Sequence, residues 1–260
     1  MPARGFICLM YHELERPGRS LCQSDRGYQR YVLPEIRFRD HMRWLRSEGW
    51  RGMSVGEALT SFQPGGIVIT FDDGCETDLI AAAPILTEAG FHATFYVTAG
   101  FVGRPGYMSA AQLHELSRSG FEIGCHSMSH AYLNDLSPPE LEMEIVTARA
   151  KLEEIIGGKV EHFSCPGGRF DRRVLALAKQ AGYRSVANSR VRANSASTDP
   201  YGLGRIAITR ELDQSAFEQI CKGDNLWKMG VGESLRSSVR NVLGNTLYDR
   251  VRNALFRLSG

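Results

Sequence analysis

Apolar and polar positions alternate along this chain in short blocks. The segment FICLMYH (6–12) is apolar and β-prone, and predicts a buried strand ending at Tyr11-His12. A polar stretch carrying Pro17, Gly18 and Gly27 follows and reads as a long surface loop. Further strands are predicted at GIVITF (66–71), HATFYV (92–97), FEIGC (121–125), HFSCP (162–166), YRSVAN (183–188) and GRIAIT (204–209). Between them the apolar spacing turns helical. Phe38, Met42 and Leu45 share one face over 38–48, with Gly49 as the stop. Helices are also expected at about 78–89, at 109–120 with Ser109 as N-cap, across apolar positions 141, 145, 148, 152 and 155, and at 171–182. Strands alternating with helices through short connections predict parallel strands and crossover helices. In such folds the site lies at the carboxyl ends of the strands, and polar residues of interest recur there at four strand ends.

Composition narrows this picture. A chain of 260 residues admits one or two domains, and a single α/β barrel fits the length. Hydrophobic residues at 43% and charged residues at 23% are ordinary for a globular protein. A net charge of +2 argues against nucleic acid as a partner. No apolar run approaches the roughly 18 residues of a spanning helix. The opening MPARGFICLMYH lacks the pattern of a secretory signal, so the expected location is the cytoplasm. The six cysteines are scattered without a CxxC pair, and read as free thiols.

Two constellations carry chemistry. In Thr70-Phe71-Asp72-Asp73-Gly74, adjacent carboxylates follow a buried strand directly. Unpaired buried charge is costly, and a cation is the usual compensation. A turn or N-cap aspartate is the plainer alternative. In His126-Ser127-Met128-Ser129-His130, two histidines four apart meet on one helical turn and can chelate one ion, unless they form a surface or core pair. Neutral imidazole suits zinc and similar metals. One carboxylate with two imidazoles leaves positions open for water and substrate.

TFDDG followed by HSMSH resembles the first two motifs of the polysaccharide deacetylase family, the NodB-homology group of carbohydrate esterases. The stretches APILTEAGFHATFYV and LHELSRSGFEIGCHSMSH extend the likeness, which covers roughly residues 5–210. The resemblance implies a distorted (β/α)7 barrel of the polysaccharide deacetylase type, here over residues 1–232. It implies that Asp73, His126 and His130 bind one divalent ion and that Asp72 is the general base. Zinc suits these ligands, as do cobalt, nickel and manganese. The implied reaction is removal of N-acetyl groups from an amino-sugar polysaccharide or glycan precursor. A formamide or other amide as substrate, and a degenerate carbohydrate-binding domain without catalysis, are the rival readings.

The third family motif is normally Arg-x-Pro-aromatic-Gly, and here reads Ser164-Cys165-Pro166-Gly167-Gly168. Ser164 stands where the family has the arginine that braces the catalytic aspartate. Pro166 and Gly167 still suit a tight turn with an N–H available as an oxyanion donor, and Arg169 is near enough in sequence to supply the missing guanidinium. The last family motif carries a histidine that GRIAIT lacks. Some members look circularly permuted and carry it on an N-terminal Tyr-His strand, so His12 is expected as the general acid. Glu13 reads as a solvated loop charge. Cys75, Cys125 and Cys165 read as small buried residues, and His41, His92, His114 and His162 as structural. Residues 233–260 form a second expected unit, a basic amphipathic helix with Leu235, Val239, Val242, Leu247, Val251 and Leu255 at helical spacing and Arg236, Arg240, Arg250 and Arg252 between them. It either packs on the barrel or attaches at residues 233–258 to an anionic membrane, which would place the protein at the inner membrane face.

Overall fold

A computed structural model describes residues 5–61 and 66–230. Its strands are β1 (Ile7–Tyr11), β2 (Leu14–Glu15), β3 (Leu33–Pro34), β4 (Gly52–Met53), β5 (Ile67–Asp73), β6 (Thr94–Val97), β7 (Glu122–Cys125), β8 (His162–Ser164), β9 (Ser185–Ala187) and β10 (Ile206–Ala207). Seven run side by side in the order β10-β1-β5-β6-β7-β8-β9, and all neighbours are parallel. β4 adds a short parallel pairing to the start of β5, and β2 pairs with β3 in a separate ladder. A bridge between Ala187 and Leu203 brings the approach to β10 against β9, while Leu9 and Met10 of β1 pair with Ile206 and Ala207. Residues 203–207 thus join the two ends of the sheet. This is the distorted (β/α)7 barrel expected from the sequence.

The pleat divides each strand between two environments. Ile7, Leu9 and Tyr11 of β1, with Ile67, Ile69 and Phe71 of β5, belong to the apolar layer that packs against the helices. In that layer Tyr11 stacks on Phe71 at 5.3 Å, and Phe71 on Phe95 at 5.1 Å. The alternate positions Cys8, Val68 and Tyr96 belong to a smaller second cluster. Thr70 and Asp72 follow Val68 at the same period of two, so they share its side of the sheet.

Helices occupy Glu35–Ser47, Val55–Thr60, Ala83–Ala89, Ala110–Arg118, Ala148–Ile156, Arg172–Gln180 and Gln214–Lys222. The helix ending at Ala89 begins with a wider π-turn at Asp78–Ala82, and Pro138–Thr147 leads into Ala148–Ile156 in the same way. The periodicity places most of these within a few residues. It misses Val55–Thr60, short but fixed by the reciprocal Ser54–Glu57 capping box, and Gln214–Lys222, which buries Phe217, Ile220 and Cys221. Among the described residues no helix is long and apolar enough to cross a membrane. The expected amphipathic unit at 233–260 lies outside the described residues.

Candidate active site

Asp72 sits at the carboxyl end of β5, 2% exposed. Its partner is Arg205, buried to 1% just before β10. Arg205 Nη1 donates to Asp72 Oδ1 at 2.7 Å and Nη2 to Oδ2 at 2.7 Å. The remaining donors reach Thr70 Oγ1 at 3.1 Å, Ser164 Oγ at 2.7 Å and the Asn188 carbonyl at 3.3 Å, and the guanidinium lies 5.2 Å from the centre of the Tyr96 ring. A buried ion pair repays its desolvation only with this kind of bidentate, fully hydrogen-bonded geometry. Burial pushes the Asp72 carboxyl up, but Arg205, His126 and His12 together outweigh it and hold it well below the usual carboxylate range.

Asp73 faces a different environment. It has φ +83°, a conformation non-glycine residues seldom adopt, and Gly74 follows with φ +83°. A Cβ on Gly74 would lie 2.8 Å from Val97 Cγ1, so the turn admits no side chain there. Asp73 Oδ1 is buried and accepts no hydrogen bond among the described residues. Facing it are His130 Nε2 at 3.5 Å and His126 Nε2 at 3.7 Å. Ligands each about 2.0–2.1 Å from one ion at a tetrahedral angle stand about 3.3–3.4 Å apart, so the three atoms fit a shared cation with small adjustment. His126 Nδ1 donates to the Ser164 carbonyl at 2.9 Å, which leaves Nε2 as the bare, metal-competent nitrogen. Burial pulls the His126 pKa down to about 4, so the ring is neutral at neutral pH.

The segment HSMSH is not the helical turn expected from its spacing. Ser127 and His130 have φ +68° and +64°, and the segment is an irregular loop. It is held from outside. Glu144 Oε2 accepts the N–H groups of Met128 at 2.9 Å and Ser129 at 2.8 Å, and Oε1 accepts the Ser129 hydroxyl. Ala99 and Gly100 donate to the carbonyls of Ser127 and Met128 at 2.9 and 2.8 Å. The loop therefore delivers both imidazoles to Asp73 by strained backbone locked with buried hydrogen bonds, as functional loops often do.

His12 follows β1 and lies near enough to Asp72 and Asp73 for their charges to oppose the burial that lowers its pKa. Its ring lies tilted against that of Tyr31, with centroids 4.8 Å apart. Pro166–Gly168 form the expected tight turn, in which Gly168 N donates to the Cys165 carbonyl at 2.8 Å and Arg169 N to that of Pro166 at 3.2 Å. Two expectations need correction. The guanidinium that braces Asp72 belongs to Arg205, whereas Arg169 lies 3.4 Å over the ring of Tyr132. Glu13 is fully buried, not solvated, and pairs with Arg19 at 2.7 Å. His41, His92 and His162 contact Tyr11, Glu57 and Ser185 respectively, and His114 the Ile155 carbonyl. Cys75, Cys125 and Cys165 are buried.

Arg205, Glu144 and the Ser164 hydroxyl were not picked out from the sequence. A signal for the first existed: an arginine inside the apolar strand GRIAIT must find a buried anion, and the Asp pair is the natural one. Glu144 sits three residues from Leu141 and one from Ile145 on a helical face that is otherwise apolar, and carries the same kind of signal.

Residues 61–186 match the family model described as polysaccharide deacetylase. YxkH of Bacillus subtilis is 27% identical over 215 residues, 80% of this chain and 73% of its own length. A chitooligosaccharide deacetylase of Azorhizobium caulinodans is 36% identical over 138 residues, 52% of this chain and 64% of that protein. The solved structure of the Streptococcus pyogenes deacetylase PplD, bound to acetate, superposes with a TM-score of 0.73 at 21% identity, covering 85% of this chain and 99% of that one.

Proposed function

We propose that this chain, whose residues 61–186 match the polysaccharide deacetylase model, is a hydrolase of non-peptide carbon–nitrogen bonds that removes N-acetyl groups from an amino-sugar glycan with one divalent ion at Asp73, His126 and His130. The observation that carries the proposal is the buried Asp73 Oδ1, without a hydrogen bond among the described residues and facing two Nε2 atoms. Zinc is our choice of ion, because a carboxylate and two neutral imidazoles suit it. Such an ion, when bound, polarises the acetyl carbonyl and lowers the pKa of water.

The chain's own groups do the rest. Asp72 stays ionised under Arg205 and accepts the proton of the attacking water. Its low basicity is offset by fixed position, since both oxygens are pinned by one guanidinium. The N–H of Gly167 is assigned to the developing oxyanion, with Pro166 shaping the turn. His12, at the end of the neighbouring strand, is assigned to protonate the departing amine, with the charges of Asp73 and Asp72 favouring its cationic form against burial. The products are acetate and a free amino sugar.

The test is acetate release from N-acetylated chito-oligomers by the full chain, before and after chelation and after return of Zn²⁺, Co²⁺, Ni²⁺ or Mn²⁺. Release that chelation abolishes and one ion restores is expected. No release with any ion, from a folded protein that binds the oligomers, would instead make this a carbohydrate-binding relative that has lost catalysis.

A further inference from the structure

Next to the proposed catalytic groups lies a cluster that the reaction does not use. Cys75 is fully buried directly after Asp73-Gly74, and Cys22 is partly exposed in the loop that leaves His12. Their sulfurs are 3.4 Å apart. Cys22 Sγ also donates to the Gly106 carbonyl at 3.0 Å, and Cys75 Sγ contacts the Tyr28 hydroxyl at 3.3 Å. Glu13 completes the cluster, within 4.8 Å of both thiols.

Two thiols and a carboxylate could hold a metal ion, but this carboxylate is already engaged. Glu13 accepts Arg19 Nη1 at 2.7 Å, the Tyr28 hydroxyl at 2.9 Å and the Cys22 N–H at 2.9 Å. Arg19 cancels its charge and hydrogen bonds occupy both oxygens, so a cation would gain little from it. The two sulfurs, by contrast, need to close by only about 1.4 Å to reach bonding distance. The other cysteines, Cys8, Cys125, Cys165 and Cys221, are all buried, which leaves Cys22 as the thiol an oxidant reaches first.

We propose that Cys22 and Cys75 are a redox modification site, forming a reversible disulfide with a peroxide as oxidant. The peroxide oxidises the Cys22 thiol to a sulfenic acid and leaves as one water. The Cys75 sulfur then attacks the Cys22 sulfur, the S–S bond forms as the S–O bond breaks, and the hydroxyl leaves with the Cys75 proton as a second water. Two thiols are oxidised by two electrons and the peroxide is reduced by two. The bond ties the loop after His12 to the turn after Asp73, so it clasps two strand ends at the rim of the site. The disulfide itself does not depend on the deacetylase reading, and its test uses no activity.

The reduced full chain is treated with a few equivalents of hydrogen peroxide, digested without reductant, and mapped by mass spectrometry. A peptide joining Cys22 to Cys75 that dithiothreitol dissolves is expected. Tm should rise by on the order of 5 °C on oxidation and fall back on reduction. Amide exchange over residues 14–31 should slow with it. Cys22→Ser should abolish all three changes, and Cys22→Ala, which adds no hydrogen-bonding group, should match it. Peroxide that leaves the two peptides unlinked, or links either cysteine elsewhere, overturns the proposal. So does a second equivalent of zinc retained by wild type and lost in Cys22→Ser, which would make the cluster a metal centre.

Discussion

Asp72 and Asp73 are neighbours in sequence, yet they belong to two differently built regions. Asp72 faces Arg205 on a scaffold of strands, with its charge matched oxygen for oxygen at 2.7 Å. Asp73 turns through a left-handed conformation toward a loop, and its Oδ1 accepts no hydrogen bond among the described residues. One carboxylate is matched by an arginine, while the other keeps one oxygen without a hydrogen bond among the described residues, facing two imidazoles. The backbone sets this arrangement: the φ of +83° at Asp73 breaks the alternation of β5, so both carboxylates reach one rim, where His126 Nε2 lies 3.6 Å from Asp72 Oδ2 and 3.7 Å from Asp73 Oδ1, while Arg205 meets only Asp72 and His130 only Asp73. A low-basicity carboxylate fixed by an arginine and a bare oxygen beside two imidazoles are suited to different tasks, proton acceptance and metal binding.

The sharpest way to break that division is to exchange the two losses. Asp73→Ala should lose bound metal and, with it, acetate release down to background. Asp72→Asn should keep one ion per chain while kcat drops by roughly 10²–10⁴-fold. Metal content by mass spectrometry together with acetate release separates them. Asp72→Asn that lost the ion as fully as Asp73→Ala would erase the distinction between the regions.

Arg205→Met comes next. Leaving Asp72 as an uncompensated buried charge should cost about 3–5 kcal/mol of stability near neutral pH, and about 10²-fold in kcat through the loss of position. Its pH dependence is diagnostic. In the wild type Arg205 holds the Asp72 pKa below its ordinary 3.8 against burial. The stability from this carboxylate is therefore present above pH 3.8 and fades as pH falls through the lowered value. Without Arg205, burial alone raises the pKa, so the acid limb of the rate profile moves to higher pH and the variant gains relative stability on acidification. An acid limb that stayed in place would show that something other than Asp72 sets it.

On the loop side, Glu144→Ala should weaken metal binding by about 10–100-fold and leave the position of the acid limb unchanged. Glu144 is not among the proposed ligands or catalytic groups, but it holds the Met128 and Ser129 amides that shape the path from His126 to His130. Isothermal titration with Zn²⁺ reads the effect. A shifted acid limb in this variant would mean that the two regions are coupled and not separate.

The two regions also differed in how much of them could be read in advance. Alternating blocks placed β1, β5, β6, β7, β8 and β9 within a few residues, because burial on strands and helix faces leaves a period in the sequence. The adjacent Asp72 and Asp73 stood out because unpaired buried charge calls for a cation, and His126 and His130 because two imidazoles four apart can chelate one. Their geometry did not: a spacing of four suggested a helical turn, and left-handed residues at 127 and 130 with long-range bonds to Glu144 gave a loop. Arg205 was missed for a related reason. It lies 133 positions from its partner, and no local pattern tells which buried aspartate a distant arginine will meet, so the nearer Arg169 looked adequate.

Ser164 bridges the two regions, and it offers the finest test. Its hydroxyl accepts Arg205 Nη2 at 2.7 Å on the Asp72 side, while its carbonyl accepts His126 Nδ1 at 2.9 Å on the Asp73 side. Ser164→Ala removes the first contact and keeps the second. It should lower kcat only a few-fold and cost about 1–2 kcal/mol, with metal affinity unchanged, because a backbone carbonyl survives the substitution. Ser164→Arg, which installs the residue usual in the family, should be worse, not better. A second guanidinium would enter the buried space that Arg205 already fills, and Tm should fall by more than in Ser164→Ala. Paired with Arg205→Met, however, Ser164→Arg returns a single arginine to the same carboxylate from the other strand, and the double variant should recover part of the stability and rate that Arg205→Met lost. Recovery in that double variant would show that what this site requires is one cation on Asp72, with the strand that provides it open to exchange.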